Sequence, residues 1–332
     1  MNSFIKSLSQ EEKNLLEKSS FPEWYNPMLA SLTTERFSDP EWIYECKFDG
    51  ERALTYYNQG ELSIFSRNKH YLNKTYPDLV ESFHGLSQDN FIIDGEIVAF
   101  QKDITSFSAL QQRMGVREIS MENALKAPVY YYIFDILFLN GFDLRSISLK
   151  SRKKILKEQI SYKDPIRFTD WIEKDGKALF KNACKKGWEG IIAKNFQSSY
   201  QNRRSRDWLK FKCHKSQELI IIGYTKPKGQ RYGFGALLVG YYKNKKLMYA
   251  GKVGTGFKEK TLVSLKKKMD QHVSVTSPSD EHVNGHITWL HPVLVGEFDF
   301  TEWTTGGKLR HPRFKGLRDD KNPDKVVRED VP

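Results

Sequence analysis

The sequence predicts two domains, a mixed α+β domain followed by a small antiparallel β-barrel. The chain has 332 residues, and a single hydrophobic core rarely grows beyond about 250 residues. Up to about residue 215, apolar strand patterns mix with helical stretches without regular alternation, as in α+β domains. Beyond that point, short strands and glycine turns follow one another around one helical stretch. We therefore expect domains at residues 1–215 and 216–332.

The first domain is predicted to open with a short amphipathic helix in residues 1–20. In RALTYYNQGELSIFSRN, two β-rich runs meet at Asn58-Gln59-Gly60, a typical hairpin turn. The stretches NFIIDGEIVAF and VYYYIFDILFLNG are apolar and bounded by turn residues, which predicts buried strands. Helices are predicted for SFSALQQRMG, for SLKSRKKILKEQI with Ser148 as N-cap, and for DGKALFKNACKKG ending on Gly187.

The second domain is predicted to be mostly β-structure. Its strand candidates lie in QELIIIGYTKPKG, FGALLVGYYKNKKLMYAGKVGTGF and LVGEFDFTEW, and KEKTLVSLKKKMDQH is its helix candidate. Short strands with one helix suit a small Greek-key barrel, of which the OB-fold is the commonest nucleic-acid binder.

The charge balance bears on the partners of the protein. Lysine and arginine number 53 against 41 acidic residues, a formal net charge of +12, and aromatic residues make up 13%. Such a surface suits a phosphate-rich polymer such as nucleic acid, although a basic protein without that partner has the same balance. No apolar run approaches the roughly 20 residues of a membrane span, so we expect a soluble protein.

Cysteine usage predicts a reducing compartment. Cys46, Cys184 and Cys213 are far apart and show no Cys-x-x-Cys spacing. We therefore expect neither a disulfide nor a zinc site, and we expect a cytoplasmic location.

The stretch ECKFDGERAL places Lys47 and Asp49 where a predicted strand ends. Either this is a solvated turn with a local charge pair, or Lys47 is a nucleophile. The Lys-x-Asp-Gly pattern is short enough to occur by chance. We expect Gly50 to permit a tight turn that lets Lys47 project into a cleft.

Further motifs follow Lys47 in a fixed order. They are SRN with Arg67, DGE with Glu96, YIFD with Phe134, EGIIAK with Glu189 and Lys194, WLKFK with Lys210 and Lys212, and LRHPRFKGLRDDK with Arg310, Arg313, Arg318 and Lys321. This set resembles the covalent nucleotidyltransferases, the superfamily of ATP-dependent DNA ligases, RNA ligases and capping enzymes. The stretches FPEWYNPMLA, GYTKPKGQRYGFGALLVGYY and EWTTGGKLRHPRFKGLRDDK resemble most closely the ligase module of bacterial ligase D, which acts in non-homologous end joining.

The resemblance implies an α+β nucleotidyltransferase (adenylation) domain followed by an OB-fold domain. It implies an ATP-dependent DNA ligase in which Lys47 forms lysyl-AMP and Asp49 assists, with Mg²⁺ or Mn²⁺ as metal. It assigns nucleotide contacts to Glu45, Arg52, Arg67, Glu96, Phe134, Arg204, Lys210, Lys212, Arg313, Arg318 and Lys321, and metal contacts to Glu96 and Glu189.

Each residue type suits its implied role. A lysine must lose its proton before it attacks, and the cations of WLKFK are placed to neutralise a triphosphate, although an amphipathic edge strand has the same pattern. Phe134 offers a ring on which adenine stacks. Glu96 is a carboxylate in an apolar strand, unless DGE is a solvated hairpin turn. Glu189 is a hard oxygen ligand or a solvated helix end, and Asp49 positions a metal-bound water or orients Lys47.

The implied partner is nicked or broken duplex DNA, with a Ku-like end-binding protein as a recruiting partner and the ligase itself a monomer. The terminal LRHPRFKGLRDDK segment is expected to close over ATP only for the first step. Two alternatives stay open. An RNA ligase or capping enzyme shares the lysine chemistry, and a nick-binding module holds broken ends without catalysis.

Overall fold

A computed structural model shows the chain as two compact units. The first ends at Cys213 and the second begins at His214. The structure describes residues 3–84, 90–114, 116, 118–227 and 232–329. Within these ranges, every helix is too short or too polar to cross a membrane.

The first unit contains two main sheets with helices packed on them. Its helices are α1 Gln10–Leu15, α2 Pro77–Phe83, α3 Phe107–Leu110, α4 Met121–Lys126, α5 Leu149–Gln159 and α6 Gly176–Lys185, after a 3-10 turn at Ser3–Ser7. Its strands are β1 Glu17–Lys18, β2 Leu29–Leu32, β3 Trp42–Lys47, β4 Glu51–Asn58, β5 Glu61–Ser66, β6 Phe91–Val98, β7 Phe100–Gln101, β8 Ile104–Thr105, β9 Tyr130–Leu139, β10 Phe142–Asp143, β11 Ile166–Phe168, β12 Trp171–Glu173, β13 Gly190–Asn195 and β14 Arg204–Lys212.

The two main sheets of this unit face each other across part of the core. The first has the order β1-β10-β9-β6-β4-β5, with β11 also beside β9, and the second has the order β12-β3-β13-β14-β2. Apolar strands β6 and β9 lie inside the first sheet and are buried along nearly their whole length. Leu54 and Phe134 of the first sheet pack with Trp208 of the second in one cluster. Part of the core therefore lies between the two sheets.

The second unit is a curved antiparallel sheet with one α-helix. Its strands are β15 Lys215–Thr225, β16 Leu237–Lys243, β17 Lys246–Val253, β18 Val273–Ser274, β19 Ile287–Phe300, β20 Glu302–Trp303, β21 Leu309–Arg310 and β22 Arg313–Leu317; its α-helix is α7 Glu259–Asp270, and a 3-10 turn spans Pro323–Lys325. The sheet order is β17-β16-β15-β19-β18, with β22 also beside β19. Apolar residues of α7 and these strands form one core.

Several local predictions are confirmed. The turn between β4 and β5 has positive φ at Gln59 and Gly60, as a two-residue hairpin requires. Ser148 caps α5, its hydroxyl accepting a hydrogen bond from the Ser151 amide at 3.2 Å. Helix α6 is followed by Gly187 at φ 77°. The predicted helix in SFSALQQRMG is shorter than expected and spans only Phe107–Leu110.

The expectation that no disulfide forms is wrong, and cysteine usage therefore no longer supports a reducing compartment. Cys184, in α6, is disulfide-bonded to Cys213, which follows β14, with Cα atoms 5.2 Å apart. The pairing was hidden because 29 residues separate the two cysteines and only the packing of α6 on β13 and β14 brings them together. Cys46 is the free cysteine, and burial together with nearby Glu189 raises its pKa to about 12.

Candidate active site

The strand register places Lys47 and Lys212 on one face of the second sheet. Lys47 is the last residue of β3 and pairs with Gly190 of β13, which pairs on its other side with Lys212 of β14. A Cβ atom at Gly190 would lie 2.0 Å from the carbonyl oxygen of Phe211, and its φ of +149° disfavours other residues. Because the residue between them is glycine, no side chain separates Lys47 from Lys212 in this cross-strand row.

Lys47 forms an ion pair with Glu189. Its Nζ lies 2.5 Å from Glu189 Oε1, and the two side chains are 17% and 11% exposed. The backbone carbonyl of Glu189 accepts a hydrogen bond from the Cys213 amide at 2.9 Å, which anchors the residue just before β13. Glu189 is thus a carboxylate in direct contact with the predicted nucleophile, and not a solvated helix end.

Glu45 is held by two buried lysines. Lys153 Nζ of α5 donates to Glu45 Oε1 at 2.7 Å, and Lys194 Nζ of β13 lies 2.6 Å from Oε2 as an ion pair without an aligned hydrogen bond. Glu45 and Lys194 are each 2% exposed. Burial lowers the pKa of Lys194 to about 8, although the charge of Glu45 acts in the opposite direction. Glu45 shares its cross-strand row with Lys210.

Two cations lie against the ring of Phe134. The Lys194 ammonium is 4.3 Å from the centroid of its ring, and the Arg52 guanidinium carbon is 4.6 Å away. Trp208 packs edge-on against the same ring with 6.1 Å between centroids. Because Phe134 is only 7% exposed, stacking of a base on its ring requires neighbouring side chains to move.

Arg52 is paired with Asp94, a residue that the sequence analysis did not single out. Its Nε and Nη2 atoms each donate to one Asp94 oxygen at 2.5 Å. Burial alone would lower the pKa of Arg52, but the attraction of Asp94 outweighs it and the pKa is raised. Tyr200 donates a further hydrogen bond to Asp94 at 2.6 Å. The signal available in the sequence was a second acidic residue in the apolar run FIIDGEIVA.

The alternative reading of DGE as a hairpin turn is wrong. Strand β6 continues through Asp94 and Gly95, and Glu96 pairs with Arg52 on one side and Tyr132 on the other. A Cβ atom at Gly95 would lie 2.5 Å from the Tyr132 carbonyl oxygen, so the glycine allows β9 to approach. Glu96 is half-buried on the sheet face that carries Arg52.

The predicted role of Gly50 is also corrected. Its φ is not in the left-handed region, and a Cβ atom there would lie 2.3 Å from the Ile97 carbonyl oxygen. The glycine therefore serves the close approach of β6 and not a tight turn. Beside it, Asp49 Oδ2 accepts a hydrogen bond from the Phe107 amide at 3.3 Å, and the Asp49 amide donates to Thr105 Oγ1 at 3.2 Å. These contacts direct Asp49 toward the start of α3.

Two further predicted nucleotide contacts, Arg67 and Arg204, also lie in the first unit, and Arg67 directly follows Ser66, which pairs with Ala53. Arg67 is half-buried in the turn after β5. Arg204 is exposed at the first residue of β14, where its Nη1 donates to the Ala30 carbonyl at 2.5 Å. Arg204 precedes Lys210 by six residues, about 20 Å along an extended strand, so the structure does not bring it beside Lys47.

The three predicted residues of the second unit have different environments. Arg313 is exposed on β22. Arg318 is buried, with Nε and Nη2 paired to Asp320 at 2.8 and 2.9 Å and Nη1 to Glu297 at 2.8 Å. Lys321 Nζ lies 3.0 Å from Glu218 Oε1. Arg318 is therefore paired with buried acidic residues of its own unit.

The predicted metal ligands suit a cation that takes some of its oxygen ligands from substrate phosphates. Among the described residues, no three His, Cys, Asp or Glu side chains are grouped as a metal site. Glu96 and Glu189 supply hard oxygen donors, and Mg²⁺ is commonly held by one or two carboxylates together with substrate phosphates and water. The donor set therefore fits Mg²⁺ or Mn²⁺ accompanying a nucleotide.

Comparison with known proteins identifies the family. Residues 27–212 match the family model described as ATP dependent DNA ligase domain, and residues 230–321 match the ATP dependent DNA ligase C terminal region. This chain belongs to the ATP-dependent DNA ligase family. Its first unit is the adenylation domain of that family and its second unit is the OB-fold domain. The predicted fold class is confirmed.

The ligase is similar to bacterial end-joining proteins. It is 35% identical over 322 residues to the multifunctional non-homologous end joining protein LigD of Pseudomonas aeruginosa, covering 94% of this chain and 37% of that protein. It is 34% identical to LigD of Mycolicibacterium smegmatis, covering 94% and 41%. The chain thus spans about two fifths of these relatives. A solved structure, mycobacterial DNA ligase D complexed with ATP and MES, aligns with a TM-score of 0.67 at 32% identity over 92% of this chain and 98% of that one.

Proposed function

We propose that this chain is an ATP-dependent DNA ligase that seals 5′-phosphate to 3′-hydroxyl breaks in duplex DNA, in DNA repair by end joining. The observation that carries the proposal is Lys47 at the end of β3, in contact with Glu189 and on the same sheet face as Lys212. Family membership and the names of the LigD relatives support it.

In the first step, the amine of Lys47 attacks the α-phosphorus of ATP. A P–N bond forms, the bond from that phosphorus to the bridging oxygen breaks, and pyrophosphate leaves with the electron pair. The ammonium must first lose a proton, and Glu189, 2.5 Å away, is the acceptor in contact with it. Lys210 and Lys212 offset the negative charge of the reacting phosphates.

The base of ATP occupies the region around Phe134. Its ring provides the stacking face, and Glu45 with Lys194 lies at the edge of that region. Adenine has a donor amino group beside an acceptor ring nitrogen. These complement the carboxylate of Glu45, which accepts, and the neighbouring ammonium of Lys194, which donates. Arg52 and Arg67 then face ribose or phosphate oxygens. A divalent cation at Glu96 and Glu189 would supply charge neutralisation for the phosphates.

In the second step, an oxygen of the DNA 5′-phosphate attacks the lysyl-AMP phosphorus, and the Lys47 amine leaves. In the third, the 3′-hydroxyl attacks the 5′-phosphate, a phosphodiester forms and AMP leaves. The protein grips DNA through phosphates, given its net charge of +12. Each phosphate contact adds about −0.9 to the slope of log K against log salt, so the affinity for DNA falls steeply as the salt concentration rises. The affinity should depend little on the base sequence, because phosphate contacts carry no sequence information.

The cellular setting belongs to the same proposal. We place the ligase in the cytoplasm as a monomer, recruited to broken ends by a Ku-like end-binding protein. A nick presents both reacting ends in one duplex, whereas separate duplexes have to be brought together at an entropic cost. Nick sealing by the isolated chain is therefore expected to be faster than blunt-end joining, and a partner that holds the ends reduces the difference.

The test is covalent labelling with α-³²P-ATP and Mg²⁺. The wild type should retain label after denaturation and should transfer it to DNA when nicked duplex is added, followed by sealing. Lys47→Ala should retain none, while Lys74→Ala, which changes an exposed lysine of the same unit, should label like the wild type.

Three results would overturn parts of this proposal. Labelling of Lys47→Ala would place the nucleophile elsewhere. Labelling by α-³²P-GTP in preference to ATP would indicate a capping-type enzyme. A labelled wild type that seals nicked RNA but not nicked DNA would make the protein an RNA ligase.

A further inference from the structure

Lys153 is a fully buried lysine outside every motif of the sequence analysis. It lies on α5 at 0% exposure. Its Nζ donates to Glu45 Oε1 at 2.7 Å and to the Thr169 carbonyl at 2.9 Å. The ammonium also lies 4.7 Å from the centroid of the Phe168 ring. A buried ammonium is costly unless it is paired. The contacts with Glu45, Thr169 and Phe168 hold the Lys153 side chain in one orientation.

Lys153 and Lys194 divide the carboxylate of Glu45 between them. Lys153 takes Oε1 and Lys194 lies beside Oε2. The two lysines come from different elements, α5 and β13, so together they set both the position and the plane of the carboxylate. A carboxylate oxygen accepts more than one hydrogen bond, so each oxygen retains an acceptor site for a ligand.

We propose that Lys153 is a positioning residue that fixes Glu45 to recognise the 6-amino group of the ATP base. This inference rests on the proposed function, in which Glu45 and Lys194 border the base. The adenine 6-amino group is a donor, whereas guanine has an acceptor oxygen at that position. With Lys153 on Oε1 and Lys194 at Oε2, Glu45 keeps both oxygens as acceptors in a fixed plane.

Removing Lys153 leaves Glu45 paired with Lys194 alone. The carboxylate is then free to rotate toward that single partner, and its lone pairs no longer point toward the base region. The reacting groups, Lys47 and Glu189, make no contact with Lys153. The effect should therefore fall on base affinity and discrimination, and not on the chemical step at saturating nucleotide.

The test compares Lys153→Met with Lys154→Met, a neighbouring lysine of α5 that is exposed. Lysine labelling is measured with ATP and with the triphosphate of purine riboside, which lacks the 6-amino group. For Lys153→Met we expect the KM for ATP to rise about tenfold, as loss of a charge-assisted hydrogen bond implies, with kcat within a few fold of the wild type. The preference for ATP over the purine riboside analogue should fall by a similar factor. Lys153→Arg should recover part of both, and Lys154→Met should match the wild type.

The decisive quantity is the preference between the two nucleotides. A folded Lys153→Met protein with unchanged preference overturns the inference, including the case in which both KM values rise equally. If Lys153→Met does not fold, Lys153→Gln, whose side chain is one atom shorter and carries no charge, is measured in its place, and an unchanged preference overturns the inference again. A wild type that ATP does not label refutes the proposed function instead, so the two failures are distinguishable.

Discussion

Lys47 Nζ and Glu189 Oε1 lie 2.5 Å apart where β3 ends and β13 is about to begin. The contact joins two residues 142 positions apart in sequence through the pairing of their strands. We propose that this contact gives the amine of Lys47 a proton acceptor as well as an electrostatic partner. In this proposal Glu189 has a role that does not depend on metal binding.

Glu189→Gln should slow lysine labelling by about 10²-fold or more, because an amide does not accept the proton of Lys47 as a carboxylate does. Single-turnover labelling at saturating ATP and Mg²⁺ measures the loss. Glu158→Gln, an exposed change on α5, serves as the control. A Glu189→Gln rate equal to the wild type would remove the proton-acceptor role.

The buried Lys194 predicts a pH dependence of stability. Its pKa is lowered to about 8 from 10.5 in the unfolded chain. Between these values the unfolded state binds the proton and the folded state does not, so the free energy of unfolding rises with pH. Relative to Lys194→Met, the wild type should gain stability from pH 8 to 10.5, measured by urea unfolding. If the difference in free energy of unfolding between the wild type and Lys194→Met is constant or shrinks over this range, the prediction is contradicted. The corresponding difference between the wild type and Lys154→Met should not change with pH.

Arg318 and Arg313 should separate stability from activity in the second unit. Arg318→Ala leaves Asp320 and Glu297 buried without their partner, which costs about 3 kcal/mol or more.

Exposed Arg313→Ala should change stability by about 0.5 kcal/mol or less, but it should slow lysine labelling more than sealing of a pre-adenylated nick. Calorimetry and the two activity assays measure these effects. Equal losses in both assays for Arg313→Ala would indicate a general defect.

The Cys184–Cys213 disulfide should stabilise the first unit. It closes a loop across a 29-residue separation, which corresponds to about 3–4 kcal/mol in the chain-entropy model. Reduction, or Cys184→Ser with Cys213→Ser, should therefore lower the thermal midpoint, whereas Cys46→Ser should leave the response to reductant unchanged. Thiol titration of the unfolded protein reports the bond directly: one free thiol supports the disulfide, and three contradict it.

The sequence by itself determined the fold class and the order of the functional motifs. Local signals suffice for such features: the hairpin at Gln59-Gly60, the Ser148 cap and the end of α6 depend on nearby residues alone. The common face of Lys210 and Lys212 followed from the two-residue period of strands, whereas the strand register put Lys47 on that face.

Only the tertiary structure decided which charged residues and which cysteines pair. Arg52 pairs with Asp94, Glu45 with Lys153 and Lys194, and Cys184 with Cys213, and each partner lies far away in the chain. Sequence patterns report periodicity and turns, whereas such pairs depend on strand register and helix packing. The same reason explains Gly50: its need for glycine arises from the carbonyl oxygen of Ile97 on a neighbouring strand, an atom that no local pattern around Lys47 reveals.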